Sequence, residues 1–157
     1  MSVESVRNYL KQFDMQDRVI EFSQSSATVE EAAKAAGTEE ARIAKTMSFM
    51  VDDAPILIVL AGDVKVDNHK YKQTFHAKAK MLTAEQLIEL VGHPHGGVCP
   101  FAVKPGVTVY LDDSLKRFET VFPAAGSENS AIELTIPELE KTSAFKEWVD
   151  VSKPIAG

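Results

Sequence analysis

The run Thr46-Met-Ser-Phe-Met-Val51, Asp52-Asp53-Ala54-Pro55, Ile56-Leu-Ile-Val-Leu60 decides the fold. Two apolar runs flank a cluster of turn formers, which is the signature of a β-hairpin. Ile56 to Ala61 shows no polar alternation, so it reads as a central strand buried on both faces. Gly62-Asp63 breaks that strand, and Val64-Lys65-Val66 continues as strand. Upstream, Thr28-Val29-Glu30-Glu31 is a capping box, in which the threonine takes an orphan N–H and Glu31 reaches back. The helix it opens runs from Val29 to Ala36 and stops at Gly37. Thr38 then caps a second predicted helix, with Glu39 and Glu40 in its first turn, running to about Ala44.

Further out, Val3, Val6, Leu10 and Phe13 recur at helical spacing, so residues 2–13 read as an amphipathic helix. Val19 to Phe22 is a short strand and residues 67–76 a short helix. Thr83-Ala84-Glu85-Gln86 is another capping box, opening a helix that ends near Val91 before Gly92. Strands are predicted at Val107–Leu111, Phe118–Phe122 and Ala131–Thr135. Thr135-Ile136-Pro137-Glu138 opens a last helix, and the tail from Val151 to Gly157 is expected to be loose. Helices followed by strands interleaved with short helices give an α+β or mixed α/β fold on one central sheet. No repeat or linker divides residues 1–157, so one domain is expected.

Composition narrows the function classes. The chain has 157 residues, 45% hydrophobic and 25% charged, as ordinary globular domains do. No run approaches the ~20 apolar residues of a membrane span, and the N-terminus lacks the pattern of a signal peptide. One cysteine leaves no internal disulfide and no usual zinc spacing. No metal or cofactor is expected, and the cytoplasm is the expected compartment. The net charge of −6 argues against a broad nucleic-acid-binding face. Residues 65–80 depart from it, with Lys65, Lys70, Lys72, Lys78 and Lys80 against the single acid Asp67. That stretch is either a solvated helix face or a small patch meeting a few phosphates, with Tyr71, His69 and His76 beside it.

The chemistry concentrates in Gly92-His93-Pro94-His95-Gly96-Gly97-Val98-Cys99-Pro100-Phe101. Glycine permits close backbone approach and proline removes a donor, so such a loop can be rigid and present bare N–H groups. Gly96 and Gly97 form either a tight turn or an oxyanion hole. Cys99 is either a small buried apolar residue or a nucleophile paired with His93 or His95. Lys45 either complements a helix C-terminus or holds a cation at the mouth of a pocket. Asp63, after a strand, either makes an Asx turn or lines a site. Ser127, Asn129 and Ser130 form a polar loop or a substrate-contacting edge.

Taken in order, several of these pieces resemble a known family. They are the alanine-rich segment leading to Ile43-Ala44-Lys45-Thr46, Val59-Leu60-Ala61-Gly62-Asp63 and Val64-Lys65-Val66-Asp67. The series continues with Gly96-Gly97-Val98-Cys99-Pro100-Phe101, Val109-Tyr110-Leu111-Asp112 and Ala125-Gly126-Ser127. Together, across roughly residues 20–140, they resemble the YbaK-like, prolyl-tRNA-synthetase-associated editing domain superfamily of aminoacyl-tRNA deacylases. The resemblance implies a compact mixed α/β fold around a barrel-like sheet with short helices. It implies hydrolysis in trans of a small amino acid mischarged on tRNA, of the Cys-tRNA(Pro) or Ala-tRNA(Pro) type, with prolyl-tRNA synthetase a possible partner. Lys45 and the backbone of Gly96 and Gly97 would then act on the ester. Asp63, Val98, Cys99, Pro100, Phe101, Ser127 and Asn129 would border the substrate, and Lys65, Lys70 and Lys72 would meet the tRNA. Catalysis would be largely substrate-assisted. The family's late-strand histidine has no counterpart in Ser127-Glu128-Asn129-Ser130. Two rival readings are a non-catalytic tRNA- or nucleotide-binding module and a Cys99-dependent hydrolase.

Overall fold

A computed structural model describes residues 2–155. Along the chain come α1 (Ser2–Leu10), β1 (Ile20–Glu21), α2 (Val29–Ala36), β2 (Ile43–Val51), β3 (Ala54–Ala61), β4 (Val64–Val66) and α3 (Asn68–Phe75). They are followed by α4 (Ala84–Gln86), β5 (Thr108–Asp112), β6 (Thr120–Pro123), β7 (Ser130–Ala131) and β8 (Leu134–Thr135). The chain closes with α5 (Ile136–Ser143), β9 (Glu147–Val149) and β10 (Ser152–Pro154). This is the mixed α+β class expected from the sequence.

The hairpin forms as predicted, with Val51 opposite Ala54 and Ala44 opposite Ala61. Asp52 and Asp53 sit at φ 50° and 64°, the left-handed pair of a type I′ turn. Aspartate tolerates that region because its short side chain can hydrogen-bond locally. β3 pairs antiparallel with β2 and parallel with β5, and from Ile56 to Ala61 it is buried throughout. The six-stranded sheet runs β8-β6-β2-β3-β5-β9 and curls into a half-barrel. Val3, Val6 and Leu10 of α1 close the core on one side, with Leu139 of α5 in the same apolar cluster.

Four local expectations are revised. The helix predicted from Thr38 to Ala44 is only a 3₁₀ turn, Glu40–Arg42, and Ile43 already begins β2. The chain is held extended there by partners far away in sequence. Ile43 and Ala44 pair with Phe122 and Pro123. The Arg42 guanidinium donates to the Thr120 carbonyl at 3.2 Å and lies 5.2 Å over the Phe122 ring. The backbone of Glu40 also presses on Gly62, where an added Cβ would come 2.0 Å from the Glu40 carbonyl oxygen. The predicted strand Ala131–Thr135 divides, since Ala131 pairs with Ile20 and Leu134 with Val121. The helix opened by Thr83 continues past Gln86 as a π-helical turn, Leu87–Val91. Within the supposedly loose tail, Ser152–Pro154 forms β10 and pairs with β4 in the register Ser152↔Val66; Ala156 and Gly157 lie outside the described residues. Asp112 anchors that tail by accepting from the Val151 N–H at 2.9 Å and the Ser152 hydroxyl at 2.7 Å.

Candidate functional site

β2 forms the floor of a cleft of about 660 Å³ through its residues 43–48. That volume lies within the range of small-molecule sites. Ser26 to Val29 make one wall, Met81, Leu82, Ala84 and Leu87 another, and Phe122, Ala124, Ser130 and Ala131 the back. His95, Gly96 and Val98 close the mouth. Most of the lining is apolar, so the few polar groups are conspicuous. The capping box of Thr28 is intact, and the start of α2 turns its positive end to the rim.

Lys45 lies on β2 and not at a helix end, so a helix dipole does not explain it. It stands opposite Leu60, is half-buried, and lends its Nζ as donor to the Val64 carbonyl. Burial lowers its pKa from the ordinary lysine value, and the Asp63 carboxylate opposes that shift. The next residue, Thr46, also lines the cleft, and its hydroxyl is buried with no hydrogen-bond partner among the described residues. A buried unsatisfied hydroxyl costs about 1–3 kcal/mol.

The glycine-proline loop is seated by backbone contact. A Cβ on Gly97 would fall 2.6 Å from the Ser127 nitrogen and 2.7 Å from the Gly126 carbonyl carbon. Only glycine lets the two chain segments meet there. Gly96 has φ +90°, and its Cβ position lies 3.2 Å from the Ala27 Cβ. The Gly97 N–H is taken up by the Pro94 carbonyl at 3.0 Å. The N–H groups of Gly96 and Val98 donate to no other group among the described residues, and both residues line the cleft. The Gly97 N–H is therefore spent, whereas those of Gly96 and Val98 are not.

Other predicted site residues lie behind or beside the cleft. Cys99, Pro100 and Phe101 are buried beneath the loop and do not line it. His93 Nε2 is 2.6 Å from the Phe101 carbonyl and 3.5 Å from Cys99 Sγ. Burial pushes the Cys99 thiol up to about 12, the reverse of what a nucleophilic thiolate requires. Asp63 is clamped by Arg117 at 2.6 and 3.0 Å, and this bidentate pairing lowers its pKa. Ser127 donates to Asn129 Oδ1, and Asn129 donates to the Phe22 carbonyl, so both serve a local network. Ser130 next to them does reach the cleft. Lys70 is tied to Asp150 and the Ser152 carbonyl, Lys65 is exposed on β4 opposite Lys153, and Lys72 is exposed on α3. Met47, Ser48 and Met81 escaped the sequence reading as lining residues; Met47 and Ser48 follow Lys45 directly on β2, whereas Met81 comes from a distant segment. No helix among the described residues is long and apolar enough to cross a membrane.

Comparison with known proteins gives the same direction. Residues 23–142 match the model of the aminoacyl-tRNA editing domain. YwhH of Bacillus subtilis, an uncharacterized protein, is 54% identical over 154 residues, 98% of each chain. Proline–tRNA ligase of the same organism is 28% identical over 108 residues, 68% of this chain and 19% of the ligase. This chain thus spans about a fifth of that ligase. Among solved structures, a candidate trans-editing enzyme for prolyl-tRNA synthetase superposes with TM-score 0.87 at 26% identity, covering 97% of both chains. Hypothetical protein APE2540 superposes with TM-score 0.83 at 27% identity, covering 95% of this chain and 99% of that one.

Proposed function

The chain belongs to the aminoacyl-tRNA editing domain family, and from that premise we propose that it hydrolyses the ester of a small amino acid mischarged on tRNA. The substrate is of the Cys-tRNA(Pro) or Ala-tRNA(Pro) type, and the enzyme acts in trans, in the cytoplasm, where prolyl-tRNA synthetase supplies the charged tRNA. One observation carries the reading. A cleft of the right size is lined by Lys45 and by Gly96 and Val98, whose N–H groups take no partner among the described residues, while the thiol of Cys99 stays outside it.

In this mechanism water adds to the ester carbonyl, and the charge that develops on its oxygen is met by the N–H groups of Gly96 and Val98. Preorganised donors of this kind are worth about 10²–10³ in rate each. Lys45 holds the terminal phosphate or the carbonyl in register, helped by its tether to the Val64 carbonyl. The neighbouring ribose hydroxyl relays the proton, and collapse releases the amino acid and the ribose hydroxyl. Positioning supplies the rest of the acceleration. Burial of Cys99 supports this over a thiol-dependent route, so Cys99→Ala is expected to stay active.

The test is deacylation of labelled Cys-tRNA(Pro), Ala-tRNA(Pro), Ser-tRNA and Pro-tRNA(Pro), with Lys45→Ala as control. Rapid release from one mischarged species, lost in the variant, is expected. Failure to release any of them, with or without added synthetase, would replace this reading with that of a binding module.

A further inference from the structure

A second cleft of about 370 Å³ lies on the α3 side of the molecule, lined by Asn68, His69, Lys72, Lys78 and Ala79. No acid lines it. The chain as a whole carries 23 acids against 17 lysines and arginines. Acids are therefore plentiful, and seven basic side chains use them in ion pairs. Lys72, Lys78 and the adjoining Lys80 make none among the described residues. The nearby acids are committed elsewhere: the Asp67 carboxylate accepts the N–H groups of His69 and Lys70 at 2.9 and 3.1 Å, and Asp150 is held by Lys70.

The chain segment that lines this basic cleft leads on to the first one. After Lys78 the chain runs alongside β2, where the Met50 N–H donates to the Lys80 carbonyl at 2.8 Å and the Leu82 N–H to the Ser48 carbonyl at 3.3 Å. Met81 and Leu82 then line the first cleft. Lys78 and Met81 are three residues apart, so their Cα atoms are separated by no more than about 10 Å. A stacked nucleic-acid strand advances about 3.4 Å per nucleotide and an extended one more, so that distance is at most about three nucleotide steps.

We infer that the cleft between α3 and Lys78 grips the backbone phosphates two to four nucleotides from the 3′ end of the tRNA whose terminal ester occupies the first cleft. This rests on the deacylase reading above. The lining explains the choice of phosphate over base. Lysine meets phosphate as a point charge, and His69 and Asn68 add hydrogen-bond donors. His69 is the one ring in the lining, and no Phe, Tyr or Trp joins it to make a stacking platform for bases. Such contacts position a substrate without reading its sequence. Of the expected tRNA contacts Lys65, Lys70 and Lys72, the assignment keeps Lys72, adds Lys78, and leaves out Lys65 and Lys70, the latter held by Asp150 and the Ser152 carbonyl.

The test is fluorescence anisotropy of the full chain with an uncharged acceptor-stem minihelix carrying an unpaired 3′ end, across a salt series. Lys72→Gln/Lys78→Gln is expected to weaken binding about tenfold at low salt and to reduce the slope of log K against log salt by about 1.4. Lys11→Gln/Lys146→Gln changes the net charge equally at exposed positions elsewhere and is expected to bind as the wild type does. A minihelix trimmed of its 3′ tail is expected to bind both the wild type and the Lys72→Gln/Lys78→Gln variant equally weakly. Unchanged affinity and slope in that variant would overturn the inference, as would an equal loss on the trimmed minihelix. Hydrolysis of a 3′-aminoacyl-adenosine by the wild type, a substrate too short for the second cleft, separately decides the deacylase reading.

Discussion

Gly97→Ala would place a methyl carbon 2.6 Å from the Ser127 nitrogen and 2.7 Å from both the Gly126 carbonyl carbon and Ser127 Cα. Ordinary contact begins near 3.4 Å, so the two backbones must separate by about 0.8 Å. Neither side is a flexible side chain that could swing away. Overpacking of this kind costs about 1–3 kcal/mol. For a domain of this size that corresponds to a fall of roughly 2–12 °C in melting temperature. The functional loss should be larger than the loss of stability. Gly96 and Val98 flank the displaced residue, and a misplacement near 1 Å can cost about 10²-fold in rate. Deacylation of the preferred mischarged tRNA should therefore lose about two orders of magnitude in kcat at a temperature where the variant is still folded. Gly106→Ala is the control, because that residue has φ +94° with open space around it. It should lose stability through backbone strain alone and keep its kcat. A folded Gly97→Ala enzyme with wild-type kcat would refute the idea that the seat on Gly126–Ser127 positions the oxyanion donors.

Burial lowers the Lys45 pKa, so the cation is lost as pH rises through a value below the ordinary lysine range. The pH–rate profile should bend down there, and Lys45→Arg should move the bend to higher pH. His93 is buried and neutral, with its pKa lowered by burial and its Nδ1 without a partner among the described residues. Its folded pKa lies below the unfolded one, so its contribution to stability is whole above about pH 6.5 and declines as pH falls toward the lowered folded value. Urea melts at pH 7.5 and 5.5 should show that decline, and His93→Gln should flatten it. Asp53→Gly, at φ 64° in the hairpin turn, should raise stability by up to about 1 kcal/mol through relief of left-handed strain, read as a higher urea midpoint.

Much of the architecture could be read directly from residues a few positions apart. The capping boxes at Thr28, Thr83 and Thr135 all form, and Gly37 and Gly92 end their helices in left-handed conformations. The hairpin and its buried inner strand follow from the uninterrupted run Ile56–Ala61. Each of these features satisfies its backbone groups or buries its side chains by a rule with a period of two to four residues, so a linear sequence is enough to show it. The lysine on the cleft floor and the loop at its mouth were also visible as residues.

Their surroundings there were set by distant parts of the chain. Strong local helix signals at Thr38–Glu40 lost to pairing of Ile43 and Ala44 with Phe122 and Pro123, which is why Lys45 projects from a strand. Asp63 was diverted from the cleft by Arg117, and Lys70 from the basic patch by Asp150. Pro94 consumed the Gly97 donor and left those of Gly96 and Val98. β10 exists because β4 and Asp112 offer it partners far back along the chain. From the sequence alone come the elements, the class of fold and the chemical types at the site. Which donors remain unspent and which charges remain unpaired depends on contacts between residues tens of positions apart, and only the tertiary structure decides those.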